Sequence, residues 1–201
     1  IGTLVPSLIF PDNPLGQDII GSEKVIENLS RAEIAGYMRQ HYRPNNLVVA
    51  VAGAIDHAAV VQQMEAVLGS MESGEKARPV PVTKGISSQL ALPYAKDTAQ
   101  AHIMVAARSY AYLDEDEPAS RVVAAILGRG MSSRLFLNVR ERQGLAYNVF
   151  AETNSYVDTG IFEAYAGVGI DKIDQAIESV LAELDGIRQD EVGKAELAKA
   201  K

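Results

Sequence analysis

Arg140 and Tyr147 are the residues of this sequence whose types and spacing best suit chemistry. They lie seven positions apart in Arg140-Glu-Arg-Gln-Gly-Leu-Ala-Tyr147, on either side of Gly144. A guanidinium offers a rigid fork of donors and a phenol one strong donor, a pairing that can grip peptide carbonyls. A structural Arg and a Tyr at the edge of the core are the competing reading of the same residues.

Other chemistries find little support. The three histidines, His41, His57 and His102, are far apart, and neither H-E-x-x-H nor H-x-x-E-H occurs. Zinc ligands need such spacing, so none of them is expected to hold a metal. His41 reads as a packed residue on a helix, His57 as an exposed first-turn residue and His102 as part of a strand. There is no G-x-S-x-G, and Ser132-Ser133 reads as a helix opening. Gly128-Arg-Gly130 lacks the remaining residues of a phosphate loop and follows a helix instead of a strand. Asp114-Glu-Asp-Glu117 precedes Pro118 and reads as a solvated helix start favoured by the helix dipole.

The elements that position Arg140 and Tyr147 follow from pattern. Pro118–Leu127 carries apolar residues at helical spacing (Val122, Val123, Ile126 and Leu127), broken at Gly128. A second helix is expected from about Ser132 to Gln143, closed by Gly144 in a left-handed cap. Tyr147–Tyr156 and Gly160–Val168 read as a hairpin turning near Asp158, Gln100–Ala107 as another strand. A long amphipathic helix follows, with Ile173, Ala176, Ile177, Val180, Leu181 and Leu184 on one face. Earlier, Ser30-Arg-Ala-Glu33 matches a capping box opening a helix through His41, and Asp56 suits the cap of another. Asn46–Ala54, apolar and rich in valine, reads as a buried strand between them. Residues 73–85, with Pro79, Pro81 and two glycines, read as a linker. The class is α+β: an antiparallel-leaning sheet with helices packed on one side, in two domains.

Motifs in the same order and spacing carry a resemblance. Gly130-Met-Ser-Ser-Arg-Leu-Phe136, Val139-Arg-Glu-Arg-Gln-Gly-Leu-Ala-Tyr147 and Asp158-Thr-Gly-Ile-Phe162 resemble the second domain of the insulinase, pitrilysin and mitochondrial processing peptidase family. Pro14-Leu-Gly16, Gly21, Leu29-Ser-Arg31, Tyr42-Arg-Pro-Asn-Asn46 and Val51-Ala-Gly53 resemble the later half of its first domain. The resemblance implies residues 1–72 as the end of a first domain, 73–85 as linker and 86–201 as the start of a second, both incomplete. It implies a parent that is a zinc endopeptidase, cleaving peptides in a closed chamber formed by a homodimer or by a heterodimer with a related subunit. Zinc in the parent would sit on an H-x-x-E-H helix outside this chain, which would bind none and be inactive alone. Arg140 and Tyr147 match the family's substrate-holding pair, Tyr147 also acting on the oxyanion. Arg129 departs from the pattern, in a stretch the family often fills with glycine. A metal-free partner subunit that positions substrate is the alternative, and a scaffold subunit a third.

Composition agrees with these limits. The 201 residues carry a net charge of −7 and no cysteine. No basic cluster suits nucleic acid, no apolar run reaches the ~18 residues of a membrane span, and disulfides and thiolate chemistry are excluded. A periplasmic and a cytoplasmic protein can both lack cysteine, so the compartment stays open. The opening at Ile1 and the uncapped helical pattern over 190–201 read as cut ends, and an incomplete domain is expected to expose apolar surface and self-associate.

Overall fold

The computed structural model describes residues 1–76, 78–83 and 91–201. They form two compact units, one of Ile19–Val80 and one of Ile1–Asp18 with Pro81–Lys201. Of the expected linker, residues 77, 84 and 85 lie outside the described residues, as does the start of the expected second domain at 86–90; the described rest of 73–85 has neither helix nor strand.

In Ile19–Val80, three helices form: α2 (Glu23–Asn28), α3 (Arg31–His41) and α4 (His57–Leu68). Ser30 and Glu33 close the expected capping box on α3, and Asp56 caps α4 by accepting from the Ala59 amide at 2.8 Å. The Tyr42–Asn46 motif has a physical basis. Pro44–Asn46 is a 3-10 turn, Asn45 Nδ2 donates to the Gly74 carbonyl at 2.8 Å, and Asn46 Nδ2 to that of His41 at 3.1 Å. The strand expected over Asn46–Ala54 does not form. Leu47 is extended after the turn, but residues 47–54 join no described strand in a ladder, and Val48 is 91% exposed. The apolar side chains of α3 are likewise uncovered, with Ile34, Tyr37 and Met38 all exposed.

In the other unit, β1 (Ala101–Ser109), β2 (Ala146–Ser155) and β3 (Gly160–Val168) form an antiparallel sheet in the order β1-β3-β2. Alternation divides its faces. Ile103, Val105, Val149, Ala151, Ala164, Ala166 and Val168 point to one face, where α5 (Glu117–Gly128), the segment Phe136–Arg142 and α6 (Ile173–Gln189) cover them through Leu127, Val139, Ala176 and Val180. Small residues on this face let the helices sit close. At Gly128 the contact is so tight that a Cβ would stand 1.8 Å from the Ala151 amide nitrogen. The opposite face is partly covered too: α1 (Leu4–Ile9) and Phe10 pack Val5 and Phe10 against Ile161, Met104 and Ala106. Arg108 reinforces this, its guanidinium 5.0 Å above the Phe10 ring. A short α7 (Lys194–Ala200) follows α6 and is tied by Glu196 to Arg134 through two 2.8 Å bonds.

Two local expectations need correction. Residues 132–143 are not one α-helix: a turn leads to Arg134, and Phe136–Arg142 then takes π-helical pitch. Glu117 is not solvated but 5% exposed. Its Oε1 receives Arg121 Nε at 2.6 Å and Ser155 Oγ at 2.9 Å, so it joins the start of α5 to the end of β2.

Candidate functional site

The segment between Phe136 and Asn148 owes its shape to one backbone requirement. Gly144 has φ +60° and closes the π-helix, its amide donating to the Arg140 carbonyl at 3.0 Å, while the Leu145 amide donates to the Val139 carbonyl at 2.9 Å. A left-handed residue here is cheap only for glycine. Leu135, Val139 and Leu145, all buried, anchor the turn in the core.

Side chains from α6 and the residues before it hold the turn from behind. Asn138 Nδ2 donates to Glu183, and Asn138 Oδ1 accepts from Arg142 Nη1 at 2.6 Å. Gln143 Nε2 donates to Ser179 Oγ at 2.8 Å, and Lys172 Nζ to the Gly144 carbonyl at 3.0 Å. A charged residue therefore binds the carbonyl of the very residue that reverses the chain. Such supporting bonds restrict the angle at which Arg140 and Tyr147 leave the scaffold.

Arg140 projects from the π-helical turn. Its guanidinium carbon lies 4.8 Å above the Phe136 ring, four residues back, and its Nε is 3.9 Å from the exposed Glu141 carboxylate. π-turns inside helices occur frequently at functional sites, and the ring below provides a stacking base for the cation.

Tyr147 sits on a second irregularity. Ala146 pairs with Val168 and Asn148 with Gly167, so Tyr147 is the extra residue of a β-bulge at the start of β2. A bulge re-aims side chains and often lies beside active sites. Tyr147 is 67% exposed, and no hydrogen bond to its phenol is present among the described residues. No hydrogen bond or cation–ring contact joins Arg140 and Tyr147 among the described residues; what they share is the Gly144 turn between them.

The remaining sequence candidates stand apart. His41 stacks on Tyr37 at 4.2 Å, His57 begins α4, and His102 Nδ1 lies 2.7 Å from the Tyr165 hydroxyl. Among the described residues no group of three or more histidines, cysteines or carboxylates gathers where a metal ion fits. Ser133 is buried and donates to the Gly130 carbonyl at 2.8 Å, a turn-forming role. No described helix is long and apolar enough to cross a membrane.

Electrostatics single out the face of the sheet opposite α5 and α6, where Glu163 is buried. Glu163 pairs across strands with Glu152, and burial, then the Glu152 charge, pushes its carboxyl above the usual range, partly countered by Asn154 Nδ2 at 3.3 Å. Tyr156 is raised by burial and by Glu163.

Residues 28–201 match the family described as the peptidase M16 inactive domain. The chain belongs to the peptidase M16 family. This is the insulinase and pitrilysin family that its motifs resemble. An uncharacterised zinc protease of Streptomyces coelicolor is 35% identical over 199 residues, covering 93% of this chain and 43% of that protein. One from Bacillus subtilis is 30% identical over 198 residues, covering 98% and 48%. This M16 chain thus spans about half the length of the curated relatives it matches. Its fold is shared with an M16 inactive domain from Pseudomonas fluorescens (TM-score 0.84, 20% identity, 99% of this chain and 48% of that one). It is shared also with a chain of the Candida albicans complex III dimer (TM-score 0.87, 22% identity, 100% and 49%).

Sequence reasoning singled out Arg140 and Tyr147 as candidates and missed the two irregularities on which they sit. The bulge did leave a signal: Tyr147 and Asn148 are consecutive polar-tipped residues between the apolar Ala146 and Val149, where strict alternation allows one.

Proposed function

We propose that this chain is the substrate-holding part of a zinc endopeptidase of the M16 family. In this reading Arg140 grips a peptide carbonyl, and Tyr147 holds substrate and donates to the oxyanion that forms as the carbonyl carbon becomes tetrahedral. The observation that carries it is the placement of these two side chains on a π-turn and a β-bulge flanking left-handed Gly144, with no hydrogen bond to the Tyr147 phenol among the described residues and the Arg140 guanidinium stacked on Phe136 and paired only at 3.9 Å with the exposed Glu141 carboxylate. Irregular backbone of this kind departs from regular geometry to direct side chains. The names of the relatives as zinc proteases support the reaction class.

The histidines present do not fit a zinc site, standing in three separate elements without carboxylates gathered around them. Zinc therefore belongs to another part of the parent, and this chain alone has no peptidase activity. In the parent, residues 1–72 end a first domain, 73–85 link it to a second beginning at 86, and two such halves, from a homodimer or a related subunit, enclose the peptide.

A second reading keeps the fold and the Arg–Tyr pair but assigns the parent to a metal-free subunit that positions substrate for a zinc-bearing one. It is favoured by the match to a family domain described as inactive. Purifying the protein encoded by the complete reading frame, then measuring zinc content and peptide cleavage with and without chelator, separates the two. Stoichiometric zinc and chelator-sensitive cleavage establish the first. A zinc-free protein that cleaves only with a second subunit establishes the other.

A further inference from the structure

The bulge that places Tyr147 also reverses the facing of its neighbour. In a regular strand Asn148 would share the helix-covered face with Ala146. Here Ala146 and Val149 are both buried in the core while Tyr147 and Asn148 are both exposed, so the alternation restarts after the extra residue. Two consecutive side chains leave the helix-covered side together.

Asn148 is also unengaged. Asn154, further along β2, spends its amide on Glu163 and Asn138 on Glu183, whereas no hydrogen bond of the Asn148 side chain is present among the described residues. Its cross-strand partner is Gly167, which has no side chain to meet it. The space above Gly167 is taken from the other side by the Tyr165 hydroxyl, 2.9 Å from where a Cβ would stand, as that phenol reaches toward His102. The Tyr165 ring in turn stacks on Phe150 at 4.8 Å. Asn148 is thus bordered by engaged aromatic groups and keeps both halves of its own amide available.

We propose that Asn148 is a second peptide-holding residue of this site, binding a backbone amide of the substrate next to the carbonyl that Tyr147 holds. This rests on the reading of Arg140 and Tyr147 given above. A side-chain amide has a donor and an acceptor side by side and can match the N–H and C=O of an extended peptide. Neighbouring residues of such a peptide advance by about 3.3 Å, and Tyr147 and Asn148 are rooted on Cα atoms about 3.8 Å apart. The register of the two partners therefore agrees, independent of the substrate's side chains.

The test is binding by the full-length protein of a fluorescein-labelled extended peptide and of its analogues with single backbone amides replaced by esters, read by anisotropy. Asn148→Ala is expected to raise Kd about 3- to 10-fold, the loss of one neutral hydrogen bond, with Tm unchanged. Against one ester analogue, and its immediate neighbour at most, that penalty should shrink, since the ester has already removed the N–H that the Asn148 side-chain oxygen accepts from. Asn148→Asp, which keeps the shape and the acceptor, should bind between the two. An unchanged Kd for Asn148→Ala, or an equal penalty against every ester analogue, overturns the proposal. Arg140→Ala and Tyr147→Phe distinguish the levels. If they weaken binding and Asn148→Ala does not, this inference alone fails; if neither of them weakens it, or the unaltered protein binds none of the peptides, the reading of the site fails with it.

Discussion

Replacing Gly144 by alanine tests how the Arg140 and Tyr147 segments are joined. Among the described residues, apart from its own chain neighbours, no atom lies within 4 Å of the position a Cβ would take, so the substitution meets no clash. Its whole cost is backbone conformation. At φ +60° an L-residue pays about 1–2 kcal/mol. For a chain of this size that lowers Tm by about 2–8 °C. Gly144→Asn should lose less, since asparagine tolerates the left-handed region. Gly128→Ala is the contrasting case: φ is ordinary there, but the new Cβ would overlap the Ala151 amide, and α5 must lift off β2. Overpacking of that severity costs about 3 kcal/mol or more. Thermal denaturation with hydrogen exchange over residues 136–148 separates them. Gly144→Ala should lose protection at the Gly144 and Leu145 amides, whereas Gly128→Ala should lose it across α5 and β2. Full stability and unaltered exchange in Gly144→Ala would refute the claim that a left-handed residue shapes the turn.

Two further outcomes are expected. Because the folded carboxyl of Glu163 titrates above its unfolded value of about 4.5, the stability it contributes is full below that pH and is lost as pH rises through the folded value. Glu163→Gln should therefore raise Tm relative to the unaltered chain at pH 7, with the gain shrinking below pH 4.5; a gain independent of pH would contradict the linkage. Asn138→Ala removes the bonds to Glu183 and Arg142 and should destabilise by about 1–3 kcal/mol, with exchange rising first in 136–147; a loss spread evenly over the chain would argue against a role in holding that turn.

How much was legible in the sequence depended on whether local signals or tertiary partners decided each feature. Ser30 with Glu33, Asp56, and Gly144 act through bonds within a few residues, so their types and spacing revealed the caps. The hairpin was legible because both of its strands lie in one stretch of sequence. Asn46–Ala54 misled for the opposite reason. Its valines favour a strand, but a strand needs a neighbour to pair with, which no described segment supplies. The helix through 132–143 acquires its π pitch where Asn138 and Gln143 bond to α6, about 40 residues away in sequence. Glu117 is buried because Ser155 and Arg121 reach it, and only the folded chain brings Ser155 there. The candidate site divides in the same way: residue types and spacing singled out Arg140 and Tyr147 as candidates, while the bulge that turns out both Tyr147 and Asn148 depends on the register of β2 against β3.

The most direct measurement of the central claim is steady-state kinetics of Tyr147→Phe in the complete, zinc-bearing assembly. Loss of an oxyanion donor lowers kcat by about 100- to 1,000-fold, and here KM should change much less than kcat. An unchanged kcat would contradict the role assigned to Tyr147, and with it the reading of this segment as part of a peptidase site.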